Sequence, residues 1–483
     1  MTVCVLCLLA VAASLAVAAP LEVGSQKQVF IDQRFIESSR GVKLVMNKPR
    51  KLGPVMRADR PWEASQVGAY CTIIREGDLF RMWYDCIAAI RPQEIRFVAY
   101  ATSSDGITWR KNPLGVFEFN GNRDNNILFQ QTEGSVFIDP HGKPEERYKY
   151  AGMLPYKGIV VNTSPDGIHW KLGTEPVLPF WCDSQAVAFW DERIGKYAAY
   201  VRNWTPLRAV SRAETDDILK PWPYDANAEP SAAFGDSKPP ALGRQLPVVF
   251  HYDEQDPPDS DHYTPCVIKY PFAADAYFLF TAAYLHYPGP PAGKYNNDGP
   301  LEIQLATSRD GMKWERLDRS AFIPLGEQGS GEEGCLYAFP SLVRVGDELW
   351  LYYTGYPLTH GPDQPPYGGT IRRVALRLDG FVAAAFDWNG GSLTTPLLAF
   401  AGNRLELNVD TGAMGSAQVE LLGPDGSPMP GYALTDCDRI NGNFIRKTVT
   451  WRGQAEINVT GPLRLRVVAR DTDLYAFQFL PAT

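Results

Sequence analysis

One heptapeptide pattern constrains this chain more than any other feature. SSDGITW at residues 103–109 returns as SPDGIHW at 164–170 and as SRDGMKW at 308–314, all three reading Ser-x-Asp-Gly-x-x-Trp. Each copy follows an alternating run that ends in Thr: FVAYAT, GIVVNT and LEIQLAT. Asp-Gly after such a run is a hairpin signal, because Gly accepts positive φ and Asp bonds the backbone that follows it. The Ser hydroxyl ties the turn further, and the Trp opens the next strand with a large apolar face. Three copies mean one supersecondary unit used repeatedly.

Each copy is preceded by two further strands, YCTIIREGD and LFRMWYDC, then EGSVFIDP and RYKYAGML, then YTPCVIKYP and AYFLFTAAY. Strand, short turn, aromatic-rich strand, alternating strand and Asp-Gly turn make a four-stranded antiparallel unit of propeller-blade type. Two weaker copies complete the set. SQAVAFWDERIGKYAAYV leads to LRAVSRAETDD, with Trp222 standing in for the repeat Trp, and FPSLVRVGDELWLYYTGY leads to IRRVALRLDGF, with Phe381 in its place. Helical periodicity is nearly absent. The expectation is an all-β chain, a five-bladed β-propeller over 25–392 followed by a β-sandwich over 393–483. In the sandwich, LELNVDT, AQVELLG, IRKTVTW, LRLRVVA and LYAFQFL alternate between turns. The Pro- and Gly-rich inserts at 221–261 and 287–300 read as loops rimming one face.

Residues 1–19 are a short apolar run with Ala16-Val17-Ala18 before the end, the pattern of a secretory signal peptide. The expected location is therefore secreted or periplasmic, with no membrane span after the signal is removed. With 55 acidic against 47 basic residues and no basic block, the charge argues against nucleic acid as a partner. Cys71, Cys86, Cys182, Cys266, Cys335 and Cys437 follow the signal without a C-x-x-C spacing, and their pairing stays open. The six His form no metal-binding spacing, so neither a metal nor another cofactor is expected.

Five blades followed by a sandwich resembles the layout of glycoside hydrolase family 32, and the blade pattern also resembles family 43. The resemblance covers nearly all of the chain beyond the signal and implies a carbohydrate substrate. The Trp-x-Asn-Asp-Pro-x-Gly, Arg-Asp-Pro and Glu-Cys stretches of the invertase-like enzymes are absent, so fructan hydrolysis is not implied.

Glycoside cleavage needs two carboxyl groups flanking the scissile bond. In a propeller the acids just before the innermost strands converge at one mouth. Here those are Glu63 (PWEASQVGAY), Glu133 (TEGSVFIDP), Asp183 (CDSQAVAFWD), Asp261 (DHYTPCV), and Glu332 and Glu333 (GEEGCLYAFP). The segment around Glu133 resembles the one where family 43 places a pKa-modulating Asp. The expected roles are Glu332 or Glu333 as general acid and Asp183 as nucleophile or base. Glu133 and Glu63 are expected to orient sugar hydroxyls or tune the others. Trp62, Arg202, Trp204, Asp261, Tyr263, His286, Tyr337 and His360 are the candidate sugar contacts. Any one of these acids is more often a turn carboxylate, and any one of these rings more often core. Two other readings stand beside the hydrolase. One is a non-catalytic glycan-binding propeller. The other is a glycoside phosphorylase, with Arg202, Arg372 and Arg373 around phosphate.

Overall fold

A computed structural model describes residues 19–89, 95–155, 157–204, 207–227, 245–288, 297–361 and 368–481. The expected signal peptide, but for Ala19, lies outside them, as do parts of both expected loop inserts. Among the described residues the regular structure is strand, with three short 3-10 turns and no α-helix. No helix among them is long and apolar enough to cross a membrane.

The described residues fall into two compact units. One combines Gln33–Val42 and Ala385–Thr483 with the described part of Met1–Gln28, and the other combines Val29–Asp32 with Lys43–Ala384. The N-terminal segment joins the C-terminal unit for a backbone reason. Leu21–Gly24 pairs in parallel with Leu398–Phe400, and Ser38–Arg40 pairs antiparallel with Gly391–Thr394. The sequence placed 25–392 in one domain, but these pairings join residues as far apart as Leu21 and Leu398 and leave no local mark. In this smaller unit, Gly391–Thr394, Arg464–Arg470 and Ser416–Leu422 extend one antiparallel sheet, and Arg404–Asp410 pairs Asn443–Thr448 and Thr472–Leu480 in another. Every second residue of Arg464–Arg470 is buried, the two-residue period of a half-covered strand.

The larger unit is built from antiparallel sheets. The first orders Gln66–Glu76, Leu79–Ala89, Ile95–Ser103 and Ile127–Phe129. The second orders Thr132–Ile138, Tyr148–Leu154 and Gly158–Ser164, and the third Val187–Asp191, Lys196–Trp204, Arg208–Thr215 and Val248–Phe250. The fourth has eight strands. Its first half centres on Tyr277–Leu285 and Leu301–Ser308. Its second half contains Cys335–Val345, Glu348–Tyr356, Thr370–Arg377 and, at the edge, Arg50–Arg57 from the start of the chain. The halves meet at a single parallel pair, Leu301 with Cys335.

The repeated turns form as their chemistry dictates. The Ser103 hydroxyl accepts the Gly106 N–H at 2.9 Å, and Asp105 Oδ1 accepts the N–H groups of Ile107 and Thr108 at 2.8 and 2.7 Å. The same bonds recur at Ser164–Asp166 and Ser308–Asp310. These donors hold the Asp105 carboxyl down at about 2; at Asp166 burial works the other way, but the His169 side chain and the same backbone N–H groups outweigh it, again to about 2. In the third sheet Thr215 and Asp217 make the drifted version of the turn, and Trp222 is buried beside it.

Three of the turns then dock on the strands before them. The Gly167 carbonyl accepts Trp83 Nε1 of the first sheet at 2.8 Å. The Gly311 carbonyl accepts Tyr200 Oη of the third at 2.9 Å. Asp379 Oδ1 in the eight-stranded sheet's second half accepts Tyr270 Oη, near its first half, at 2.6 Å. The turn of the first sheet docks on the last, where Tyr352 Oη donates to the Gly106 carbonyl at 2.8 Å. The last of these contacts joins the two ends of the series of sheets.

That docking leaves no room at the glycine. Gly106 has φ +68°, and a Cβ there would lie 2.7 Å from Tyr352 Oη and 2.8 Å from Phe80, whereas Gly346 has φ +62° with open space around it. Urea unfolding of Gly346→Ala should show a loss of about 1 kcal/mol from the backbone alone. Gly106→Ala should lose about 2–4 kcal/mol, because the turn must also move off its neighbour.

Candidate active site

The inner strands begin with broken ladders. In the first sheet the register slips between Val67 and Cys71, and in the second between Thr132 and Ser135. The residues in the slips, Ala69 with Tyr70 and then Glu133, turn into a common cavity of about 200 Å³. The third sheet adds Asp183, just ahead of its inner strand, and the eight-stranded sheet adds Tyr263, Cys335, Tyr337 and Tyr356. Leu358, Thr359 and His360 wall one side. That wall is tied down, since Thr359 Oγ1 donates to Asp298 at 2.8 Å and Tyr284 Oη to the His360 carbonyl at 3.0 Å. Bulges next to a site re-aim side chains at the expense of ladder bonds.

Both cavity acids hold left-handed backbone, Glu133 with φ 60° and Asp183 with φ 50°. Such positions persist only where the surroundings over-determine them, and they concentrate at functional sites. Each acid faces a guanidinium. Glu133 Oε1 lies 3.2 Å from Arg96 Nη1, and Asp183 Oδ2 lies 3.1 Å from Arg202 Nη1. Arg202 is fully buried, with its guanidinium 4.0 Å from the Tyr263 ring centre and Nε donating to the Tyr263 carbonyl at 3.2 Å. Burial opposes its charge, but Tyr263 and Asp183 outweigh burial and hold its pKa above the ordinary value. His360 is pushed down to about 3 by burial and by the charges of Arg208 and Arg202, so its imidazole is neutral.

Beneath Glu133 lies Asp85, on the middle strand of the first sheet. Its Oδ2 accepts the Thr132 hydroxyl at 2.7 Å and the Glu133 N–H at 2.9 Å. Burial pushes its carboxyl up to about 7, with Glu133 adding to the rise, against the two hydrogen bonds and Arg96.

The structure thus brings together Glu133, Asp183, Tyr263, Tyr337 and His360 from the sequence candidates, with Arg202 against Asp183. It places the others elsewhere. Glu63 is fully buried and accepts the Tyr84 hydroxyl at 2.7 Å and Lys111 Nζ at 2.8 Å. Trp62 donates to Asn126 at 2.9 Å and lines a separate pocket with Phe119 and Asn122. Trp204 is packed in the core of the second and third sheets. Asp261 sits behind Tyr263, bonded to Arg208 Nη1 at 3.0 Å and 3.4 Å from His286 Nε2. Glu332 is buried among Tyr353 Oη at 2.6 Å, Lys51 at 3.2 Å and Arg372 at 3.4 Å. Glu333 caps its own loop, accepting the Gly329 N–H at 3.0 Å. Neither is among the cavity-lining residues. Arg373 stacks on Trp350, so Arg202, Arg372 and Arg373 are held by three different partners.

Asp85, Arg96, Tyr70 and Tyr356 were not singled out by the sequence reading. Asp85 had a signal, a lone carboxylate within the apolar run FRMWYDC. Among the described residues the six Cys are free and buried, and no group of three or more His, Cys, Asp or Glu is arranged to hold a metal ion.

No family model matches the chain, and no curated protein matches it. Solved structures do resemble it. A glycoside hydrolase is 14% identical over 68% of this chain and 92% of its own, with a TM-score of 0.45. A structure from the GH130 family of mannoside phosphorylases, which contains glycoside hydrolases targeting β-1,2-mannosidic linkages in Candida mannan, is 16% identical. It covers 73% of this chain and 97% of its own, at a TM-score of 0.44. A family 43 arabinoxylan arabinofuranohydrolase from Bacillus subtilis is 12% identical over 87% and 96%, at 0.38. At these scores the likeness assigns no activity to this chain.

The Asp85 proton has a measurable consequence. An unfolded Asp titrates near 3.9, so from about pH 4 to about pH 7 the folded chain holds a proton that the unfolded chain has released. Folding stability therefore falls as pH rises through that window and is level above it. Urea unfolding between pH 4 and pH 8 should show wild type losing on the order of 2–4 kcal/mol relative to Asp85→Asn, which has no such proton. Parallel curves for the two proteins would place Asp85 in a wetter site than its burial indicates.

Proposed function

We propose that this chain is an exported glycoside hydrolase, a five-bladed β-propeller with a C-terminal β-sandwich, that cleaves glycosidic bonds in plant or algal poly- or oligosaccharides. The observation that carries the reading is the single cavity to which every sheet of the larger unit contributes. Two carboxylates, Glu133 and Asp183, enter it beside tyrosine rings of the kind that stack on sugar faces. The ring of turn contacts and the edge strand Arg50–Arg57 support the blade count, and the apolar residues 1–19 support export.

In this reading Asp183 is the nucleophile or base, its oxygen facing the Arg202 guanidinium. Glu133 is the proton donor, because it is the more enclosed of the two cavity carboxyls, its side chain 12% exposed against 33% for Asp183, and withdrawal from water favours the protonated form of a carboxyl. The general acid assigned from sequence to Glu332 or Glu333 moves to Glu133, since Glu332 is occupied by Lys51, Arg372 and Tyr353.

The test is sugar release from a panel of plant and algal glycans, with and without inorganic phosphate. Wild type should release sugar without phosphate, and Asp183→Asn and Glu133→Gln should each fall by about 10²–10⁴ in kcat/KM. Release from which both variants are spared would discard this pair. Sugar phosphate formed only with phosphate would make the protein a phosphorylase, and glycan retention without release would make it a binding propeller.

A further inference from the structure

We infer that Asp85, which does not line the cavity, is the positioning residue for Glu133: its carboxylate fixes the left-handed backbone that presents the Glu133 side chain to the site. The inference rests on the proposed role of Glu133 as proton donor.

Glu133 and Arg452 are the unusual cases among the strained positions, and of the two Glu133 lines the cavity. Among the described residues the other non-glycine positions at positive φ are Asn120, Asp183, Asp379 and Asp471. Asn and Asp have short polar side chains that bond locally and ease that conformation, and a glutamate has no such compensation. Something outside the residue must hold it. Asp85 Oδ2 grips the N-terminal side through the Glu133 N–H and the Thr132 hydroxyl. On the C-terminal side the Glu133 carbonyl accepts the Ala186 N–H at 2.9 Å. Arg96 Nη1 spans the same corner, 3.4 Å from Thr132 Oγ1 and 3.2 Å from Glu133 Oε1. With the peptide clamped at both ends, the side chain meets Arg96 and lines the cavity.

The groups facing Asp85 from the packed strands are Arg96, Glu133, Cys71, Cys86, Tyr150 and Tyr356. Burial pushes both thiols and both phenols well up, so they stay uncharged around neutral pH. Asp85 is the group in this layer that changes charge there. As the anion it accepts two charge-assisted bonds, which hold the Glu133 peptide. Once protonated it is a poorer acceptor and holds that peptide less firmly. The competent site is therefore the one with Asp85 ionised.

Three measurements test this. The first is the crystal structure of Asp85→Ala, in which Glu133 should leave φ near 60°. The second is the kcat profile of wild type and Asp85→Asn on a glycan that wild type cleaves. Wild type should show an acidic limb with a midpoint near 7 that Asp85→Asn abolishes or moves by more than about one pH unit. The third is the kinetics of Asp85→Ala at pH 8, where kcat should fall at least about tenfold with KM within about threefold, the mark of a displaced proton donor. If Asp85→Ala does not fold, wild-type structures at pH 5.5 and 8.5 replace it, with the Glu133 peptide shifted at the lower pH. Glu133 holding its backbone in every structure, together with an acidic limb unchanged in Asp85→Asn, overturns the inference. If no glycan is cleaved, the reading of Glu133 as proton donor fails, and the backbone measurement still decides what Asp85 does.

Discussion

The larger unit depends on one contact made repeatedly, a buried aromatic N–H or O–H donated to the turn that leaves the next sheet. Trp83 reaches Gly167, Tyr200 reaches Gly311 and Tyr352 reaches Gly106. A single such bond contributes about 1 kcal/mol net. Its larger effect is geometric, because the donor sits on a middle strand and the acceptor at a strand end, so the bond fixes the angle and height at which neighbouring sheets meet. Inner strands follow that placement: Thr72 of the first sheet accepts the Val136 N–H of the second, and Ser135 donates to Ala186 ahead of the third. Sheets held in this way bring the beginnings of their inner strands to one place.

At that place the regular pattern breaks. Ladder bonds are given up at residues 68–70 and 133–134, and two acids adopt backbone that favours glycine or asparagine. The turns, a few strands' length away, satisfy every local rule. Strained backbone occurs elsewhere too, at Asn120, Asp379, Arg452 and Asp471, but at this cavity two strained acids and two ladder breaks meet where side chains must be aimed.

The same contrast explains what could be read from the sequence. The turns were legible because Ser, Asp, Gly and Trp each have a local reason to be there. Glu133, Asp183, Tyr263, Tyr337 and His360 were legible as cavity candidates because nearness to the start of an inner strand, or for His360 to the end of the second strand, is a position along the chain. Glu332 occupies an equivalent position, yet Lys51 and Arg372 approach it from strands that are distant in sequence and occupy it. Trp62 and Trp204 match the composition of a sugar platform but face the interior, which depends on strand register rather than residue type. Asp85 and Arg96 were missed for the reverse reason. Asp85 lies mid-strand and Arg96 at the start of an outer strand, and the bulge at Glu133 brings its backbone down onto one and its side chain out to the other. The pairing of Leu21–Gly24 and Ser38–Arg40 with the C-terminal unit was likewise hidden, because edge pairings carry no repeat.

Two carboxylates in one cavity do chemistry only if their surroundings differ. Here the surroundings differ by what stands behind each acid. Behind Asp183 is Arg202, a buried guanidinium that also lies on the Tyr263 ring, so the near field is positive. Arg96 faces Glu133 too, but behind it is the buried carboxyl of Asp85, so its field is mixed and depends on one proton. The Glu133 side chain is 12% exposed and that of Asp183 33%, which leaves Glu133 less screened from its neighbours by water. The proposed roles need such a difference, a mixed, poorly screened field for the proton donor and a positive, wetter one for the anion that attacks or activates water. The difference itself follows from Asp85, a residue that does not line the cavity.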